Sequence, residues 1–170
     1  MIYNIHPLLV HFPIAFLLLY SLIILLPMQK WFSKITWKAS ERLLLVLGTI
    51  GIFLAKASGE TAQELTKPKS NLVEMHELFA NAVTWFYIIL IIIEFLPLIV
   101  SFLEKKKITL WSIPTLLKKI HRFINKKIII KTCALLGLIS LFITGLLGGV
   151  MVYGATADPL APFILKLLGL

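Results

Sequence analysis

From Leu8 to Leu26 the chain presents no Asp, Glu, Lys or Arg, only an apolar run interrupted by His11, Pro13, Tyr20 and Ser21. Three further long apolar runs follow, from about Leu43 to Gly59, Val73 to Leu103 and Ile128 to Tyr153. A bilayer core of about 30 Å takes roughly 20 apolar residues in a helix. Every backbone group inside it must be hydrogen-bonded within the segment. Hydrophobic residues make up 59% of the chain and its mean hydropathy is +0.94, against roughly 45–50% apolar usage in a soluble domain. The expectation is an all-α integral membrane four-helix bundle, one membrane domain over 1–170, with spans at about 6–26, 43–59, 73–103 and 128–153. The uncharged core of the second run, Leu43 to Ala55, is short, so Arg42 and Lys56 must snorkel or the helix must extend into both interfaces.

The loops carry the orientation. The first holds Lys30, Lys34, Lys38 and Arg42 against Glu41 alone, and the third holds eight basic residues between Lys105 and Lys127. The second holds Glu60, Glu64, Glu74 and Glu77 against Lys67 and Lys69. The positive-inside rule then places loops one and three in the cytoplasm, and loop two and both termini outside, in a multi-pass protein of the cell membrane. The formal charge of +9 belongs to loops that face anionic lipid, which disfavours a nucleic-acid partner. No basic residue precedes the first span, so it reads as retained rather than as a cleaved signal. Residues Ile113 to Ile124 alternate apolar and basic side chains at helical spacing, as suits a helix lying on the inner membrane surface, with His121 on its basic side. Cys133 has no partner for an internal disulfide and reads as a small apolar residue.

On this topology the polar features converge. His6 and His11 open the first span, His76 opens the third, and "ASGE" (Ala57 to Glu60) and "GGVMVYG" (Gly148 to Gly154) close the second and fourth, all at the outer face. Ionisable residues in membrane spans mark functional sites. His6 and His11 lie five residues apart, about 140° around a helix, so they have different partners. Pro13 removes a helical hydrogen bond and bends the chain beside His11, a bend that would aim His11 inward. The leading chemistry is axial ligation of haem b by neutral imidazoles, with His76 and His11 as the pair and His6 as substitute or supporting partner. Ala80 one turn from His76, and Gly145, Gly148 and Gly149 on span four, would give a porphyrin room, and Lys56, Lys67 and Lys69 would face its propionates. Close helix packing is the plainer reading of the glycine face. A non-haem iron, copper or zinc site of His6, His11 and His76 with Glu60 or Glu77 is the weaker alternative, because no H-E-x-x-H is present. Lower in the third span, Glu94 lies about 27 Å from His76 along the helix and reads as an ion pair with Lys131, with a proton path as the sharper alternative. Trp85 and Tyr153 read as interfacial or packing aromatics. No nucleophile elbow, phosphate loop or acid–base carboxylate pair is present, which leaves an electron carrier or complex subunit rather than a stand-alone enzyme.

"HPLLVHFPIAFLLL", "MHELFANA" and the closing "GGVMVYG" resemble, in that order, the motifs of the small four-span membrane proteins labelled domain of unknown function 2231. The resemblance covers Ile5 to about Gly154. It implies a four-span fold. Because that domain occurs alongside c-type cytochrome domains in some larger proteins, it also implies redox work near the outer face, with a c-type cytochrome or similar protein as partner. What it implies falls on His6, His11, His76, Gly148, Gly149 and Tyr153. Many relatives continue from the final tyrosine to a histidine, where this chain has "VYGATADP", so a site using that histidine would differ here. The competing class is a structural or assembly subunit of a larger membrane complex, or a homo-oligomer, whose histidines cap helices.

Overall fold

The computed structural model describes residues 4–66, 70–105, 119, 127–156 and 158–170. Among the described residues six helices run in order, α1 (His6–Leu25), the single turn α2 (Met28–Trp31), α3 (Lys38–Thr66), α4 (Ser70–Lys105), α5 (Lys127–Tyr153) and α6 (Ala161–Leu168), and there is no strand. Helices α1, α3, α4 and α5 are each long and apolar enough to cross a membrane, and the fold is an all-α membrane bundle. Only 22–33% of each span's apolar window is buried within the chain, so most of the leucine and isoleucine surface faces lipid.

Two spans outrun their expected bounds. Helix α3 has 29 residues and α4 has 36, about 43 and 54 Å at 1.5 Å per residue. Both continue past the apolar core into the acidic second loop, so the short apolar centre of α3 is accommodated by extension. The surface helix expected at 113–124, His121, Lys67 and Lys69 lie outside the described residues, Lys119 excepted. Helix α6 was not anticipated. It buries Ala161, leaves Phe163 and Leu167 exposed, and ends at Gly169, whose φ of 73° suits the left-handed C-terminal position.

Among the four spans, α1 packs most extensively on α3 and α4 on α5, and the two pairs meet along smaller α1–α5 and α3–α4 seams. Glycines set both close pairs. A Cβ on Gly48 would lie 2.4 Å from Leu17 Cδ2, and one on Gly51 would lie 2.9 Å from Pro13 Cδ. A Cβ on Gly137 would lie 3.0 Å from the Tyr87 ring. Leu17, Tyr20, Leu45, Ile52, Val83, Tyr87, Leu90, Ala134 and Leu141 form the buried core between these contacts. At its centre the buried hydroxyls of Ser21 and Tyr87 lie 2.7 Å apart and tie α1 to α4.

Glu94 does not pair with Lys131. Its carboxylate takes Lys38 Nζ at 2.5 Å and Arg42 Nε at 2.7 Å, while Lys131 Nζ donates to the Leu25 carbonyl at 3.5 Å. The reason is local: Lys131 meets the C-terminal end of α1, where unpaired carbonyls attract a cation, and the extended first turns of α3 bring two other cations to Glu94. Glu94→Gln is expected to lower the stability of the detergent-solubilised protein by about 1–2 kcal/mol. That is less than the 3–5 of a fully buried pair, because Lys38 and Arg42 are 57% and 42% exposed. Lys131→Gln is expected to change the same melting curve less, and the reverse ranking would refute this assignment.

Candidate functional site

Helical phase decides which histidine points into the bundle. Pro13 is buried against Gly51 of α3. His6, seven residues earlier, is 700° away, or −20°, and shares that face; His11, two residues earlier, lies 200° round. His6 is accordingly half-buried and His11 exposed. Pro13 therefore serves the α1–α3 contact and leaves His11 on the outer surface, where its Nδ1 donates to the Pro7 carbonyl.

The His6 ring reaches α3. Ser58 Oγ donates to the Ala55 carbonyl at 2.9 Å, which occupies its hydrogen, so it accepts from His6 Nδ1 at 2.9 Å. Just before α1, Asn4 Oδ1 accepts from the His6 backbone N–H at 3.2 Å. On the facing pair of helices, His76 Nδ1 donates to the Thr144 carbonyl of α5 at 3.0 Å. The ring fits there because α5 has no side chain one turn on: a Cβ at Gly148 would stand 3.4 Å from His76 Cε1. In both residues the carbonyl or spent hydroxyl fixes the tautomer, with the proton on Nδ1 and the lone pair on Nε2.

The surroundings are small and uncharged on the inside and acidic at the rim. Ala55, Ser58, Gly59 and Ala62, at positions i, i+3, i+4 and i+7, form the inward face of α3 at this end. Lys56 Nζ donates to Asn81 Oδ1 and Gln63 Nε2 to Glu77 Oε1, each at 2.7 Å. That register sets Ser58, and with it His6, level with about Ala80, one turn from His76. Glu60, Glu64, Glu74 and Glu77 are exposed around this end.

The glycines of α5 divide. Gly148 faces His76, but Gly145 and Gly149 line a separate apolar groove of about 560 Å3 between α1, α5 and α6, with Tyr153 at its mouth. A second cleft of about 440 Å3 lies between the start of α4, the end of α5 and α6. Neither His6 nor His76 lines either cleft. The structure thus brings together His6, His76, Ala80 and Gly148, and sets apart His11, Gly145, Gly149 and Tyr153. Among the described residues no three His, Cys, Asp or Glu side chains gather as a metal cage, so the three histidines do not assemble with Glu60 or Glu77. Ser58 and Thr144 were missed from sequence. A serine among small residues carries a weak signal, and a backbone carbonyl acceptor carries none.

No curated protein and no solved structure matches the chain. The family model described as a predicted membrane protein (DUF2231) matches residues 3–157, and with its motifs on four membrane-spanning helices the chain belongs to that family.

Proposed function

We propose that the protein is a membrane electron carrier that holds a b-type haem by histidines at the acidic end of the bundle. The observation behind this reading is the pair His6 and His76: two imidazoles from different helices at the same end of the bundle, each with Nδ1 engaged. Histidine ligands of metals ordinarily donate the other ring nitrogen to a carbonyl, hydroxyl or carboxylate, which fixes the ring and raises its basicity. The donor chemistry fits haem iron. When bound, the group would supply a one-electron couple, and two neutral imidazoles would make it low-spin. His76 is the first ligand in this reading, because Gly148 and the Thr144 carbonyl hold its ring most closely, and His6 replaces His11 as its companion. Lys56, which donates to Asn81 at this end, would face a propionate.

The charge pattern of the loops supports placing this end outside the cell membrane and the Lys38–Arg42–Glu94 end in the cytoplasm. The four exposed glutamates at the rim would then face a basic, outer-face redox protein such as a c-type cytochrome, with steering that weakens as salt rises.

Titrating haemin into the purified protein in detergent tests the reading. The expected result is a sharp Soret band at one haem per chain and narrow reduced α and β bands. A colourless protein that takes up no haemin would defeat it and favour a structural subunit. Copper or zinc bound at one per chain without porphyrin would favour the non-haem site.

A further inference from the structure

The two histidines belong to different halves of the bundle. His6 is fixed inside the α1–α3 half, to Ser58, and His76 inside the α4–α5 half, to Thr144. The halves are joined unevenly along their length. At the middle and at the basic end the ties are buried or partly buried: Ser21 with Tyr87, the Tyr20 ring edge-on to Tyr87 at 6.2 Å, and Glu94 with Arg42. At the histidine end the side-chain hydrogen bonds across the α3–α4 seam are Lys56 with Asn81 and Gln63 with Glu77, both exposed. Exposed polar pairs hold two helices together only weakly. The inward face of α3 here is Ala55, Ser58, Gly59 and Ala62, too small to interlock with α4. The cleft between the start of α4, the end of α5 and α6 also lies at this end, and the α1–α5–α6 groove runs into it from mid-bundle. Among these side-chain ties, those at the middle and the basic end are thus buried or partly buried, and those at the end that carries one imidazole on each side are exposed.

We propose that His6 and His76 act as a two-imidazole clip across this seam, so that capture of a metalloporphyrin or an imidazole-seeking divalent ion draws the α1–α3 half against the α4–α5 half. The inference rests on the haem reading for its natural ligand, but the clip itself requires only a metal that accepts two imidazole nitrogens. A ligand binding the closed arrangement better than the parted one shifts the population by that difference in affinity. Mobility is then concentrated at the seam before capture and lost on capture. The same parting would admit a flat macrocycle between side chains that line neither the groove nor the second cleft.

Nitroxide labels on Glu64→Cys in α3 and Glu74→Cys in α4, in a Cys133→Ser background, report the seam by pulsed electron spin resonance. The probes are gallium protoporphyrin, diamagnetic and able to take axial imidazole, and Zn2+ alone, each added to the full chain in nanodiscs. The expected result is a shorter mean distance and a distribution at most half as wide with either probe. The response should vanish in His6→Gln and in His76→Gln, which keep a hydrogen-bond donor near Ser58 or Thr144 but offer no ring lone pair. Porphyrin binding with an unchanged distribution would overturn the clip and leave the haem reading standing. No porphyrin binding, with closure by Zn2+, would sink the haem reading and keep the clip. An unchanged distribution with both probes, or closure undiminished in both glutamine variants, would overturn the clip.

Discussion

If the protein holds haem as proposed, His76→Ala is expected to reduce bound haem more than tenfold at fixed haemin, whereas His11→Ala should leave the haem spectrum intact. The asymmetry comes from where each ring is held. His76 is half-buried, with Nδ1 on the Thr144 carbonyl and its edge against Gly148; His11 is exposed and bonds back to Pro7 in its own helix. His6→Ala is expected to behave differently from both, keeping haem but shifting its reduced bands from the sharp low-spin pair toward a broad high-spin form as one axial nitrogen is lost. Gly148→Val gives the most discriminating result. Its Cβ would begin 3.4 Å from His76 Cε1, and the two methyls beyond it would press the ring off the Thr144 carbonyl. Loss of such a supporting hydrogen bond typically weakens metal binding 10–100-fold, so Gly148→Val should bind haem that much more weakly with both histidines present. Each variant is read beside its size-exclusion profile, which reports folding separately. Haem retained in His76→Ala, or lost in His11→Ala with a normal elution profile, would overturn the assignment.

Spans, charged loops and the gathering of odd residues at one end were legible because they depend on composition along the chain. A run with no charge from Leu8 to Leu26 leaves few alternatives to a membrane helix. The facing of His11 was not read correctly, although the information was present. From sequence, Pro13 suggests a bend that would turn His11 inward. Its apolar ring instead packs on Gly51, and the 3.6-residue period then puts His6 inside and His11 outside. The partner of Glu94 was not legible. Lys131, Lys38 and Arg42 are all cations at the same end, and only the packing of α3 on α4 and of α5 on α1 decides among them. The glycine face of α5 was half legible. Small residues at 145, 148 and 149 announced a close approach, but Gly148 alone receives His76, while Gly145 and Gly149 line open groove. Sequence spacing gives the face of a helix; what approaches that face depends on helices far away in the chain.

Gly48→Leu and Gly51→Leu are expected to be the most destabilising single changes in the bundle. The Leu17 side chain against Gly48 is 0% exposed and has no free space to swing into. A Cβ 2.4 Å from its Cδ2 can be accommodated only by separating α1 from α3. At Gly51 the neighbour is the Pro13 ring, which has no rotamer to change, with Pro13 N itself 3.1 Å from the added Cβ. Forcing such groups into a packed interface costs about 1–3 kcal/mol and sometimes more. In a membrane the cost falls on van der Waals contact, which is what drives helices together there. Both leucine variants should therefore melt well below the parent protein in detergent, by several degrees or more. Gly149→Ala is the control: nothing lies within 4 Å of its Cβ, and alanine favours a helix over glycine by about 1 kcal/mol, so its melting temperature should hold or rise. Because His6 is carried on α1 and fixed on α3, opening that pair should also move His6 from Ser58 while His76 stays on Thr144. Gly51→Leu should then bind haem in the high-spin form expected of His6→Ala. A leucine variant that melts as the parent does would mean that α1 and α3 are not in contact through these glycines, and the placing of His6 opposite His76 would fall with it.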